Sequence, residues 1–266
     1  MAMIKIDFTG TAAIVAGGAS GIGKAIALEL AGCGADVWIG DLDEQNAEDV
    51  CREIKNRGGK AGFTKTDVSK PDDVSALFAD AKAAYKRIGI VVNSAGVFLP
   101  DSLLDASPER IKAHLEINLF GVIYGTKLAL ETMIEQGGGG KILNVASVGG
   151  RSGESGAPYY SLGKSGIINF TQSAAYTGAP HGINVNAICP GIIRTPLWDV
   201  ILEDAAGGDP AADKDALFTD IVKRRTPLGR AQTPEEMAYA ACFLCSGYAD
   251  AILGQALNVC GGDRMN

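Results

Sequence analysis

Ala12-Ala13-Ile14-Val15-Ala16-Gly17-Gly18-Ala19-Ser20-Gly21-Ile22-Gly23-Lys24-Ala25-Ile26-Ala27-Leu28-Glu29-Leu30 decides how this chain folds. The apolar run Ala12–Ala16 has the length of a buried strand, and the residues after Gly23 repeat at helical spacing. A strand, a glycine-rich turn and a helix in that order form an anion site, because the first N–H groups of the helix point at whatever the turn cradles. Gly17 permits the turn, Gly21 lets main chain approach a pyrophosphate, and Gly23 allows the helix to pack closely on the strand. Gly17, Ser20, Gly21, Ile22 and Gly23 are therefore candidate cofactor contacts.

Outward from this stretch the pattern repeats. Strands are predicted at Ala12–Ala16, Asp36–Gly40, Gly62–Thr66, Ile90–Asn93, Lys141–Ala146, Asn184–Ile188 and Gln255–Val259. Helices are predicted at Gly21–Ala31, Asp43–Lys55, Pro71–Lys86, Pro108–Ile134, Pro158–Tyr176 and Pro234–Ser246. Such alternation specifies an α/β fold, a parallel sheet of about seven strands with helices on both faces. Thr233-Pro234-Glu235-Glu236 is a helix start, with a capping residue, proline in the first turn and acids facing the dipole. Gly137–Gly140 reads as a loop tip. From Thr195 to about Arg230 the pattern breaks around Gly207-Gly208-Asp209-Pro210, and this stretch is the candidate substrate-binding loop.

The 266 residues, 47% hydrophobic and 21% charged, suit one globular domain over 1–266. A net charge of −7 argues against nucleic acid as the partner, since phosphate backbones need a basic stripe. No apolar stretch approaches the ~20 residues of a membrane span, and the N-terminus lacks a signal-peptide pattern. The expected place is the cytoplasm, with the six cysteines Cys33, Cys51, Cys189, Cys242, Cys245 and Cys260 reduced and in the core. Cys242 and Cys245 have redox-motif spacing on an apolar helix face. With only His114 and His181 as histidines, no metal site is expected.

Asp41 ends the second strand, where a carboxylate can accept hydrogen bonds from adenosine ribose hydroxyls and would repel a 2′-phosphate. Neither Leu42 nor Asp43 supplies an offsetting cation, so NAD rather than NADP is expected. Asp41 could also cap the following helix. Asp67 and Val68 end the third strand within reach of an adenine edge, although such an acid is often only a turn residue.

Tyr160 and Lys164 are one helical turn apart and share a face, whereas Tyr159 has Gly163 at that spacing. A cation beside the phenol, together with oxidised nicotinamide, would bring its pKa down from ~10 toward the working range. Ser147 follows the fifth strand and can hydrogen-bond a substrate oxygen. Asn118, mid-helix among apolar residues, needs a partner, and a water leading from Lys164 would serve.

These motifs, with Asn93-Ser94-Ala95-Gly96, Tyr160-Ser161-Leu162-Gly163-Lys164 and Pro190-Gly191-Ile192-Ile193-Arg194-Thr195, resemble those of the short-chain dehydrogenases/reductases from Thr11 to Gly262. The resemblance implies a Rossmann doubly wound domain and an NAD-dependent oxidoreductase acting on secondary alcohols or ketones. Asn118, Ser147, Tyr160 and Lys164 would be its catalytic tetrad. Tyr160 and Lys164 would also hold the nicotinamide ribose. Pro190, Ile193 and Thr195 would lie along the carboxamide, and Asn93, Ala95 and Gly96 would line the adenosine side and brace the sheet. Two positions depart from the family pattern: Ala16 stands where Thr is usual, and Cys260 where an acid is usual.

The region after Thr195 and the ending Gly261-Gly262-Asp263 resemble the vicinal-diol and polyol branch. That implies a diol, polyol or hydroxyketone, oxidised in the cell because the NAD pool is mostly oxidised. Trp198 and Gly153 are candidate substrate contacts beside Ser147 and Tyr160, and Arg151, Glu154 and Ser155 are possible polar partners. A 3-hydroxyacyl-CoA is the rival substrate, for which Lys223, Arg224 and Arg225 would form the basic mouth. A catalytically silent binding subunit is the alternative of a different class. The resemblance also implies a homo-oligomer, tetramer or dimer, through the helices 108–134 and 158–176.

Overall fold

Ala12–Ala16 forms strand β1 with all five residues buried, in the middle of a seven-stranded parallel sheet. The computed structural model describes residues 5–207, 209 and 211–265; Gly208 and Pro210 of the expected loop tip lie outside them. The strand order is β3-β2-β1-β4-β5-β6-β7, with β2 Asp36–Asp41, β3 Ala61–Lys65, β4 Ile88–Asn93, β5 Gly140–Val145, β6 Ile183–Pro190 and β7 Ala256–Val259. Parallel strands covered on both faces read as continuous apolar runs, and β1 and β4 are buried throughout.

Successive side chains send the sheet into two cores. Val15, Val92 and Leu143 pack under α1 (Gly21–Gly32), α2 (Glu44–Asn56) and α9 (Pro234–Cys245). Ile14, Val91 and Ile142 face α3 (Pro71–Ala84), α5 (Gly121–Gln136) and α6 (Pro158–Gly178). Thr233 caps α9 as expected and forms a capping box with Glu236, the two exchanging bonds. The expected glycine tip is one residue shorter, since Gly140 opens β5: Gly137, Gly138 and Gly139 all have positive φ, and Arg87 donates to their three carbonyls. Cys242 and Cys245 are buried in α9, with the Cys242 thiol hydrogen-bonded to Cys33.

Three elements differ from expectation. Helix α3 stops before Tyr85, whose extended backbone places its ring edge-on against Trp38 at 5.8 Å. The single helix expected over 108–134 is α4 (Pro108–Leu115), a π-helical turn over Glu116–Phe120, and α5. The stretch after Thr195 folds into α7 (Pro196–Ala205) and α8 (Lys214–Arg225).

The tightest approach is between α1 and the glycine turn. A Cβ on Gly23 would stand 1.9 Å from the carbonyl oxygen of Gly17, a main-chain atom that cannot swing aside. Gly23→Ala is expected to lower the thermal midpoint by ~4–10 °C, since overpacking costs roughly 1–3 kcal/mol. Gly32→Ala, at the far end of α1 with nothing within 4 Å of the new methyl, should leave it unchanged or raise it. Thermal melts of both variants make the comparison.

Candidate active site

The sheet reverses its order between β1 and β4, and a crevice of about 530 Å³ opens above the carboxyl ends of the strands there. Gly17 (φ +79°) carries the chain over the sheet so closely that a Cβ would lie 2.5 Å from the Ala95 nitrogen. Gly21 also has positive φ, with the Thr195 side chain against it. Ser20 occupies the N-cap of α1 but its side chain caps nothing, and no acid lies in the first turn. The first N–H groups of α1 are thus left for an anion at the crevice. With Ser20, Ile22 and Gly23 in the walls and a volume inside the ~300–1,000 Å³ range of ligand sites, the crevice fits a dinucleotide.

Asp41 lines the crevice and fixes the turn: one carboxylate oxygen accepts from Ala19 N at 2.9 Å, the other from Asp43 N at 3.1 Å. The cap of α2 is Asp43, which accepts from Asn46 N, so the capping role considered for Asp41 belongs to its neighbour. Asp67 and Val68 line the same end. The Asp67 carboxyl is held below its ordinary range, chiefly by the Ser69 hydroxyl, with Lys70 at 3.3 Å. Ala95 and Gly96 line the crevice, but Asn93 does not. The Asn93 amide donates to Thr126 Oγ1 at 3.1 Å and Asn144 Oδ1 at 2.9 Å, which ties β4 to α5 and β5. Its side chain has the bracing place and not the cofactor-lining one.

Ser147, Tyr160 and Lys164 meet at the β4–β5 end of the crevice, with Pro190, Ile193 and Thr195 opposite. Ser147 Oγ accepts from Gly149 N at 3.0 Å and is hydrogen-bonded to Tyr160. Lys164 is only 3% exposed; its ammonium donates to the Val145 carbonyl at 3.0 Å and stands 5.6 Å from the Tyr160 ring centre. Among the described residues no carboxylate pairs with it. Burial therefore pushes Lys164 down to about 8.

The expected lowering of the Tyr160 pKa is not a property of the chain alone. Burial pushes the phenol above its ordinary value, and the Ser147 hydroxyl pulls it only partly back. Asn118 also departs from expectation. It sits in the π-helical turn, fully buried, and its amide is satisfied by Val97: Nδ2 donates to Val97 O at 2.9 Å and Oδ1 accepts from Val97 N at 3.1 Å. A Cβ on Gly96 would lie 3.0 Å from Asn118 Oδ1 and 3.2 Å from Lys164 Nζ, so the two side chains flank that glycine.

Two residues of the site carry no sequence signal. Phe98 sets its ring edge-on to Tyr160 at 5.7 Å. Cys189 lies buried beneath, hydrogen-bonded by Ser147 N and Arg151, its thiol pushed up by burial.

On the substrate side Trp198 lines the crevice and packs edge-on against Phe218 of α8 at 5.4 Å. Gly153 does not line it; the glycine is exposed, with nothing within 4 Å of an added Cβ. Arg151 points away, donating to Asn258 Oδ1 and Ala256 O. Glu154 is bound by Arg264 at 3.0 Å, and Ser155 is exposed. Arg224 pairs with Asp220 and Arg225 with Asp263, so the expected basic mouth is largely neutralised.

A family model described as "Enoyl-(Acyl carrier protein) reductase" matches residues 17–263. The chain is a short-chain dehydrogenase/reductase. It is 39% identical to cis-4-hydroxycyclohexanecarboxylate dehydrogenase of Sinomonas cyclohexanicum, over 96% of this chain and 97% of the relative. It is 34% identical to the (S)-acetoin-forming diacetyl reductase of Staphylococcus epidermidis, over 94% and 97%. L-sorbose reductase from Gluconobacter frateurii, solved with NADPH and L-sorbose, superposes with a TM-score of 0.93 at 26% identity, over 99% of this chain and 100% of that one.

In this short-chain dehydrogenase/reductase both positions that depart from the family pattern are hydrogen-bonded to main chain. The turn after Ala16 is tied by Ser94 N to Ala16 O at 2.8 Å and Gly17 N to Gly40 O at 2.7 Å. The Cys260 thiol donates to Arg264 O at 3.3 Å.

The buried ammonium gives the enzyme a stability signature. The folded chain releases the Lys164 proton near pH 8, whereas an unfolded lysine keeps it to ~10.4. The penalty for burying the charge is thus fully present at pH 7 and fades as pH rises from 8 to 10.5. Lys164→Met should melt higher than the parent at pH 7, by up to about 2 kcal/mol, and lose that advantage near pH 10. A series of thermal melts across pH reads this out.

Proposed function

We propose that this oxidoreductase interconverts a secondary alcohol and a ketone with NAD(H), using Tyr160 as proton donor and acceptor. The observation that carries the reading is the convergence of the Tyr160 phenol, the Ser147 hydroxyl and an unpaired buried ammonium in one crevice with an uncapped helix start. A nicotinamide dinucleotide, which the Gly17–Gly23 turn and the first N–H groups of α1 would hold, would supply the hydride acceptor or donor.

Each residue has a physical task. Ser147 donates a hydrogen bond to the substrate oxygen and sets its distance from the phenol. Tyr160 receives the hydroxyl proton when an alcohol is oxidised and returns it when a ketone is reduced. Because burial alone raises the phenol, that exchange needs positive charge close by, which Lys164 and an oxidised nicotinamide supply together. Lys164, pinned to Val145, would also hold the nicotinamide ribose. Asn118 holds the Val97 peptide and the π-helical turn beside Lys164 and so keeps the proton path in register.

NAD is favoured over NADP by Asp41, whose carboxylate faces the adenosine end with Leu42 beside it and Lys65 bound to Glu44 at 2.8 Å. NADPH in the L-sorbose reductase structure belongs to that protein. Oxidation of the alcohol is the favoured direction with this cofactor. The hydroxyacyl-CoA reading loses support from the neutralised Arg224 and Arg225, and the silent-subunit reading from the complete tetrad. A homo-oligomer is also part of the proposal, since Leu162 and Tyr176 stay exposed on α6. Among the described residues no helix is long and apolar enough to cross a membrane.

Tyr160→Phe tests the chemistry: kcat should fall by ~10³-fold while NADH binding, followed by fluorescence titration, stays within about twofold. Loss of binding together with rate would count against a proton-transfer role. Asp41→Ser tests the cofactor choice: the NAD:NADP ratio of kcat/KM should drop by roughly 10- to 100-fold, and an unchanged ratio would remove Asp41 from the selection.

A further inference from the structure

Resting on that reading, we infer that the substrate is an uncharged secondary alcohol or ketone flanked by hydrocarbon, of alicyclic bulk, of which the protein recognises a single oxygen. Of the charges in the crevice walls, Asp41 ends β2 and Asp67 follows β3 at the far end, while the Lys164 ammonium beside Tyr160 is bound to Val145 O. Beyond Ser147 and Tyr160, the larger side chains that the segment after β4 and α7 bring to the walls are Val97, Phe98, Leu99, Leu197, Trp198 and Val200, and Ser94, the polar side chain among the lining of these two segments, stands beside Gly23. Thr195, at the start of α7, turns its side chain to Gly21 on the phosphate side.

Polar side chains near this end are turned to protein partners, and His114, whose Nδ1 has no hydrogen-bond partner, is buried outside the crevice wall. His114 Nε2 is bonded to Leu99 O at 2.8 Å, and Tyr159 OH donates to Leu103 O at 3.0 Å. Arg194 stands over Phe218 and pairs with Asp199 at 3.3 Å. Arg151 and Glu154 are committed to Asn258 and Arg264. A second oxygen on the substrate would therefore lose its water without gaining a partner, a loss on the order of 10²-fold in discrimination.

The apolar walls are also preformed. Val97 is held by both amide atoms of Asn118, Leu99 by His114, and Pro100 O by Arg110 at 3.0 Å. Trp198 is fixed by its edge contact with Phe218. Rigid aromatic and aliphatic surfaces around one hydrogen-bonding point favour a compact hydrocarbon over a chain of hydroxyls. This narrows the polyol expectation.

Oxidation rates of cyclohexanol, butane-2,3-diol and galactitol at saturating NAD decide the matter, with NADP and the corresponding ketones run alongside. Cyclohexanol is expected to lead galactitol by about 10²-fold or more in kcat/KM. Phe98→Asn, which places an amide in the wall, should shrink that lead by at least about tenfold, chiefly through KM for cyclohexanol. Should the variant fold poorly in a melt, the parent panel still decides. Galactitol or the diol equalling or exceeding cyclohexanol overturns the inference alone. Absence of turnover on every compound with either cofactor sinks the oxidoreductase reading and this inference with it.

Discussion

The ammonium of Lys164 is a charge almost removed from water, with one strand carbonyl as its anchor and, among the described residues, no carboxylate to answer it. Such a group is tolerated only where surrounding structure holds it, and here the sheet does so. Val145 ends β5 immediately before Ala146 and Ser147, so the strand that fixes the cation also delivers the serine. Helix α6 carries the tyrosine one turn away. The distance between charge and phenol is thus set by helix geometry and strand register together, and mobile loops have no part in it.

Legibility in the sequence followed the range of the interactions. The sheet, the glycine turn and the pair Tyr160 and Lys164 are local patterns with a period, and a period can be read from one chain. The π-helical turn could not be read so, because it accompanies bonds between Asn118 and Val97, twenty-one positions apart. Arg151 and Glu154 were expected at the pocket for the same reason in reverse: their partners Asn258 and Arg264 lie at the other end of the sequence. Phe98 sits in irregular chain, where an aromatic residue has neither amphipathic face nor spacing to mark it. The upward push on Tyr160 in the chain alone is not legible either, because desolvation depends on everything packed around the phenol.

Polar and apolar duties are divided across the crevice. Its β2–β3 end offers carboxylates and main-chain N–H groups, suited to a cofactor that many proteins share. Its β4–β6 end offers two hydroxyls and the anchored Lys164 ammonium among hydrocarbon and aromatic rings. The three relatives compared here name a cyclic hydroxyacid, a diketone and a ketose, so substrate choice varies on a shared scaffold.

The strand order has a consequence for how the molecule comes into being. β1 is made early yet ends in the middle of the sheet, and its second neighbour β4 is reached only after β2, α2, β3 and α3. Until then a row of unpaired peptide groups stands open beside Ala12–Ala16. Closing it requires a long chain loop, a slow event compared with winding helices. The half-built sheet therefore presents a sticky edge to its surroundings, open to pairing with other nascent chains until β4 docks.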